Sequence, residues 1–110
     1  MNIQIYGKTK CFDTKKAERF FKERGIKFQR IDIISSGMSR GEFNSVRNSV
    51  GLAAMIDSEV PGAEIFKYLA YDADKEEKLL ENQEFILTPI VRNGKNATVG
   101  YRPEVWKSWN

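Results

Sequence analysis

The chain has 110 residues, with 18 lysines and arginines against 15 aspartates and glutamates, for a formal net charge of +3. That length makes one domain with a single core, and an apolar fraction of 41% is enough to pack it. The sequence has no histidine and one cysteine. These counts exclude Ser-His-Asp and Cys-His catalysis, a transition-metal cluster and an internal disulfide. A reducing, cytoplasmic compartment is expected. No apolar run approaches the ~20 residues of a membrane span, and a signal-peptide pattern is lacking, so no membrane association is expected. Cations alternate with carboxylates and form no basic stripe, which argues against direct nucleic-acid binding.

Residues 3–6 read as a strand with Ile3, Ile5 and Tyr6 as its apolar members. Gly7 breaks it, and a helix over 12–24 follows, with Ala17, Phe20 and Phe21 on one face and Gly25 as its stop. The alternation of residues 27–33 gives a second strand, so strand, helix and strand form a βαβ unit with parallel strands. After a turn at Ser35–Gly37, Ser39 and Glu42 have capping-box spacing and open a helix that runs to about Val50. Residues 52–56 read as a short helical piece. Two further helices are predicted at 63–70, with Ile65, Phe66 and Leu69 inward, and at 74–82, with Leu79 and Leu80 inward. Residues 90–92 and 97–100 flank Asn93-Gly94, a type I′ hairpin signal. Arg102-Pro103-Glu104 opens a closing helix, which Val105, Trp106 and Trp109 dock onto the sheet.

One position is chemically loaded. Cys11 lies between the end of the first strand and the start of the first helix, where free N–H groups and about half a positive charge favour thiolate over thiol. Lys8, Lys10, Lys15 and Lys16 supply cations nearby. Without histidine, activation has to come from the backbone dipole, Lys or Arg. The alternative is a cysteine acting as a small buried hydrophobe, although its flanks Lys10, Phe12 and Asp13 are mostly polar.

The element order βαβ, helices, ββα is the thioredoxin-like α/β plan with an all-helical insertion at about 38–83 in a single domain spanning 1–110. Over nearly its whole length the sequence resembles the arsenate reductase (ArsC) family that also includes the Spx-type regulators. Three segments carry the resemblance. The first is Ile3, Ile5, Tyr6 and Cys11 with Lys15-Lys16-Ala17; the second is 85–91 (FILTPIV); the third is 99–105 (VGYRPEV). The resemblance implies that Cys11 is the nucleophilic or redox-active cysteine. It implies a cis Thr88–Pro89 bond facing that cysteine, with the Thr88 backbone able to pair with a thiol-bearing substrate. It also implies that Arg102 belongs to an anion-binding set, where a guanidinium holds an oxyanion by two hydrogen bonds. On the residues alone, Arg102 reads equally as a salt-bridge partner for the last helix.

The departures are as specific. Reductases of the family carry two more arginines, at positions where this chain has Glu59 and Thr88. Spx-type regulators carry Cys-x-x-Cys, and this chain has Cys-Phe-Asp-Thr, with Thr14 at the second position as a first-turn hydroxyl. The expected function is that of a glutaredoxin-like thiol oxidoreductase acting on a small thiol or oxyanion substrate. It holds no bound cofactor, and glutathione or another low-molecular-weight thiol resolves the mixed disulfide. The alternative is a non-enzymatic, Spx-like adaptor that binds RNA polymerase.

Overall fold

In the computed structural model, which describes residues 1–109, a four-stranded sheet with order β2-β1-β3-β4 is built from Ile3–Gly7 (β1), Phe28–Asp32 (β2), Ile90–Asn93 (β3) and Asn96–Val99 (β4). β1 and β2 are parallel, joined by helix α1 (Phe12–Glu23), while β3 pairs antiparallel with both β1 and β4. This is the expected thioredoxin-like arrangement. Between β2 and β3 lie α2 (Arg40–Val50), α3 (Asp72–Glu81) and three 3₁₀ segments. The chain closes with a short helix α4 (Pro103–Trp106), which has proline at its first turn.

The period-two alternation of the strands sorts the core onto the two sheet faces. Ile3 and Ile5 of β1 and Val91 of β3 pack against Ala17, Phe20 and Phe21 of α1, together with Trp106 and Trp109. Tyr6 and Ile90 point the other way, to Phe43, Val46, Met55, Leu79 and Ile86 of the helical block. Trp106 is fixed as well as buried, because its indole N–H donates to the Thr98 hydroxyl at 2.7 Å. On the second face the buried Tyr6 hydroxyl donates to Glu42 Oε2 at 2.9 Å. Glu42 completes the expected capping box: its Oε1 accepts the Ser39 N–H at 2.9 Å and its own N–H donates to Ser39 Oγ at 3.2 Å. One carboxylate therefore caps α2 and ties it to the central strand. Burial, together with the Glu42 carboxylate and against the pull of Arg92, pushes the Tyr6 phenol up to about 12.

Three details differ from the sequence expectation, the first being that Gly7, expected to break the first strand, is the last residue of β1 and pairs with Asp32. The segment expected as a helix at 63–70 is a 3₁₀ helix over Ala63–Tyr68, entered through Gly62 at φ 93°. With three residues per turn, positions three apart share a face. Ala63 and Phe66 are accordingly buried and Leu69 packs beside them, while Ile65 turns outward at 39% exposure. The hairpin turn is centred on Gly94-Lys95 and not on Asn93-Gly94, because Asn93 pairs with Asn96 across the ladder. Positive φ is confined to Gly94 (62°), the pattern of a type II′ turn in which only the first central residue needs it.

Candidate functional site around Cys11

Cys11 is the N-cap residue of α1, with extended backbone angles of φ −85° and ψ 114°. Its N–H donates to the Lys8 carbonyl at 3.1 Å, which closes the loop after β1 and fixes the residue at the helix entrance. The side chain is half-buried. In the thiol form, Sγ–H donates to the Thr88 carbonyl at 3.6 Å. The Thr88–Pro89 bond is cis, and Thr88 and Pro89 are both buried. The structure thus brings Cys11 together with the Thr88–Pro89 pair, which begins 77 residues further along the sequence.

Thr14 is the first-turn hydroxyl expected from its position, and it also acts on the thiol. It occupies the third helical position, the place from which a capping-box side chain reaches back to the N-cap. Thr14 is 1% exposed, and its Oγ1 has no hydrogen-bond partner while Cys11 is a thiol. The group it can serve is the Cys11 sulfur. Burial pushes the Cys11 pKa up, but the Thr14 and Thr88 hydroxyls and the backbone N–H groups of Thr14 and Asp13 outweigh it. The thiol settles below its ordinary value. The spacing Cys-x-x-Thr carried the signal for this: once Cys11 is the N-cap, residue 14 has to stand over it. Gly7 is part of the same fit. A Cβ there would collide with the Thr14 side chain, so the last residue of β1 has to be glycine for Thr14 to pack where it does.

Arg102 is the N-cap of α4 and is exposed, and its Nε donates to Glu104 Oε2 at 2.7 Å. It follows closely on Gly100, whose N–H donates to the Pro89 carbonyl at 2.8 Å, so it stands on the segment beside the cis-proline turn. Its carboxylate partner is 63% exposed, and such surface pairs hold side chains only weakly. Lys8 does not act as a cation for the thiol. It donates to the Glu84 carbonyl at 2.7 Å and pairs with Asp57 at 3.6 Å, which fastens the loop before Cys11 to the helical block. Glu59 is exposed, with its N–H on Asp57 Oδ1 at 3.0 Å. Phe12, next to the thiol, is 77% exposed, with the Lys15 ammonium 5.9 Å from its ring centroid. No His, Cys, Asp and Glu cluster suited to a metal ion occurs among the described residues, and none of their helices is long and apolar enough to cross a membrane.

The comparisons with known proteins meet this geometry. The chain is 30% identical to the global transcriptional regulator Spx 2 of Oceanobacillus iheyensis over 112 aligned positions, which cover 94% of this chain and 80% of that one. The chain belongs to the arsenate reductase/Spx family. No protein-family model matches it. In fold it is similar to an ArsC-family-related protein from Bacteroides fragilis, with a TM-score of 0.86 at 16% identity over 100% of this chain and 98% of that one. An arsenate reductase from Vibrio cholerae superposes with a TM-score of 0.83 at 22% identity, over 96% and 94% of the two chains. Within the family, Cys11 caps α1 here with a threonine three residues on, so the thiol stands without the second cysteine of the Spx switch.

Proposed function

We propose that this protein is a thiol-dependent oxidoreductase that works through Cys11 alone. The Cys11 thiolate attacks a sulfur of a disulfide substrate; the new bond is a mixed disulfide and the displaced sulfur leaves as a thiolate. An external thiol, with glutathione or another low-molecular-weight thiol as the natural candidate, then attacks the mixed disulfide and returns Cys11. The observation that carries this reading is the N-cap position of Cys11, with the Thr88 carbonyl 3.6 Å from the sulfur and the buried Thr14 hydroxyl among the groups that lower the thiol's pKa. Thr88 offers its backbone to the incoming chain, Pro89 shapes the turn, and Arg102 orients an anionic end when it leaves Glu104. Arsenate is a poor substrate on this reading, because Glu59 and Thr88 stand where the reductases carry arginines.

A second reading has its own support. The relative at 30% identity is named a global transcriptional regulator, and an adaptor of that kind would bind RNA polymerase in the cytoplasm through its surface, whatever the state of the thiol. Incubation with glutathione disulfide followed by intact mass measurement separates the two. The oxidoreductase reading expects a glutathione adduct on the wild type that free glutathione removes, and none on Cys11→Ser. Failure to form the adduct, together with RNA polymerase capture from lysate that is the same for wild type and Cys11→Ser, would favour the adaptor.

A further inference from the structure

A groove of about 540 Å³ runs beside α1, lined by Lys16, Arg19 and Glu23 of the helix, by Arg24 just past its end, and by Tyr101, Pro103 and Lys107 opposite. Four cationic side chains and one carboxylate line it, with Lys16 3.9 Å from Asp13 and the Arg24 guanidinium over the Phe20 ring. The sequence hides this concentration, because the cations come from two segments that are interleaved with acids along the chain and converge only in the fold.

Both walls of the groove lead back to the thiol. On α1, Phe12, Lys16, Arg19 and Glu23 follow one another at spacings of three and four, so they form a single stripe that begins at the residue after Cys11. On the other wall, Tyr101 follows Gly100, whose N–H is bonded to the Pro89 carbonyl. Lys16 bridges the walls, with its ammonium 5.7 Å from the Tyr101 ring centroid. At 1.5 Å per helical residue, Lys16 to Arg24 lie about 8 to 20 Å from Cys11 along the axis, a distance an extended chain covers in roughly two to six residues.

We infer that this groove is a recognition surface for an acidic polypeptide segment, so that the partner whose sulfur reaches Cys11 is a protein chain with aspartates or glutamates about two to six residues from its cysteine. The exposed Phe12 lies between the thiol and the groove along the α1 stripe, next to Cys11 in sequence. The inference rests on the thiol reading for what happens at Cys11 but not for the binding itself. A groove with an excess of one sign of charge concentrates and steers a chain of the opposite sign, with gains of about tenfold or more in association rate that fade with added salt.

Two measurements keep groove and thiol apart. The first is fluorescence anisotropy of a labelled, cysteine-free peptide carrying four aspartates, titrated with the Cys11→Ser protein. Saturable binding at low salt is expected, weakened about tenfold or more by Arg19→Glu with Arg24→Glu and also by raised salt. Equal binding of an uncharged peptide, or no response to the double substitution, would overturn the groove. So would displacement by a single-stranded oligonucleotide of the same charge as effective as that by unlabelled acidic peptide, since the surface would then read any polyanion. The second is the rate at which wild-type Cys11 attacks peptide mixed disulfides of thionitrobenzoate, releasing one thionitrobenzoate per Cys11–peptide disulfide formed. The acidic peptide should react about tenfold faster than its uncharged counterpart at low salt, and equal rates would overturn the inference. Reaction with the uncharged reagent dithiodipyridine reports the thiol alone: if it fails while the acidic peptide still binds, the thiol reading falls and the groove stands.

Discussion

Thr14 stands at the third position of the helix whose N-cap is Cys11, its side chain filling the space that Gly7 leaves open and its buried hydroxyl lowering the Cys11 pKa. The end of β1, the start of α1 and the reactivity of the thiol are thereby one packing problem. Thr14→Val keeps the shape and removes the hydroxyl. Loss of a hydrogen bond to a charged group is worth about 1.5–3 kcal/mol, so alkylation of Cys11 at neutral pH should slow by about tenfold or more, while Thr14→Ser stays near wild type. Folding stability should hardly fall in the valine variant, because the hydroxyl it removes has no hydrogen-bond partner while Cys11 is a thiol. Iodoacetamide kinetics and urea titrations of the three proteins check both halves.

Gly7→Ala should act at the same place by a different route. The new methyl overlaps Thr14, and overpacking of this kind costs about 1–3 kcal/mol. Denaturant titration should show that loss, with slower Cys11 alkylation because Thr14 is pushed off the sulfur. A Gly7→Ala protein with wild-type stability would mean that Thr14 is free to move.

The lowered Cys11 pKa links thiol and fold. Between the folded pKa and the unfolded value near 8.5, the unfolded chain binds more protons than the native one, so native stability rises with pH across that window. The contribution is fully present above the unfolded value and is lost as pH falls through the folded one. Urea unfolding of wild type and Cys11→Ser at pH 6 and pH 9 should therefore show the wild type gaining relative to the variant at the higher pH. A constant difference would contradict the shift.

Tyr6→Phe tests whether the second sheet face is held independently of the thiol. It removes the 2.9 Å bond to Glu42 and should destabilise the fold by roughly 1–2 kcal/mol, with Cys11 alkylation unchanged. The Tyr6 phenol, pushed up to about 12, stays protonated through neutral and mildly alkaline pH, so this bond should not titrate there.

Much of this was legible in the sequence because it depends on local rules. The βαβ unit follows from apolar spacing in 3–33, and the capping box from Ser39 and Glu42. Cys11, Thr88 and Pro89 came together as the family resemblance implies. What the sequence concealed depends on which non-local neighbour arrives. Lys8 looked like a cation for the thiol until Asp57 and the Glu84 carbonyl claimed it. Ile65 looked inward because α-helical spacing was assumed where the chain winds as 3₁₀. Arg102 stands paired with Glu104, the salt-bridge arrangement that its residues allowed all along. The basic groove needs Tyr101 and Lys107 to meet α1, and no one-dimensional count brings them there.

The most direct test of the account is the pH profile of Cys11 ionisation, followed by thiolate absorbance or by the iodoacetamide rate in wild type and Thr14→Val. The account predicts a wild-type midpoint clearly below the ordinary cysteine value near 8.5 and a higher midpoint in the valine variant. A wild-type midpoint at the ordinary value, unmoved by Thr14→Val, would contradict it.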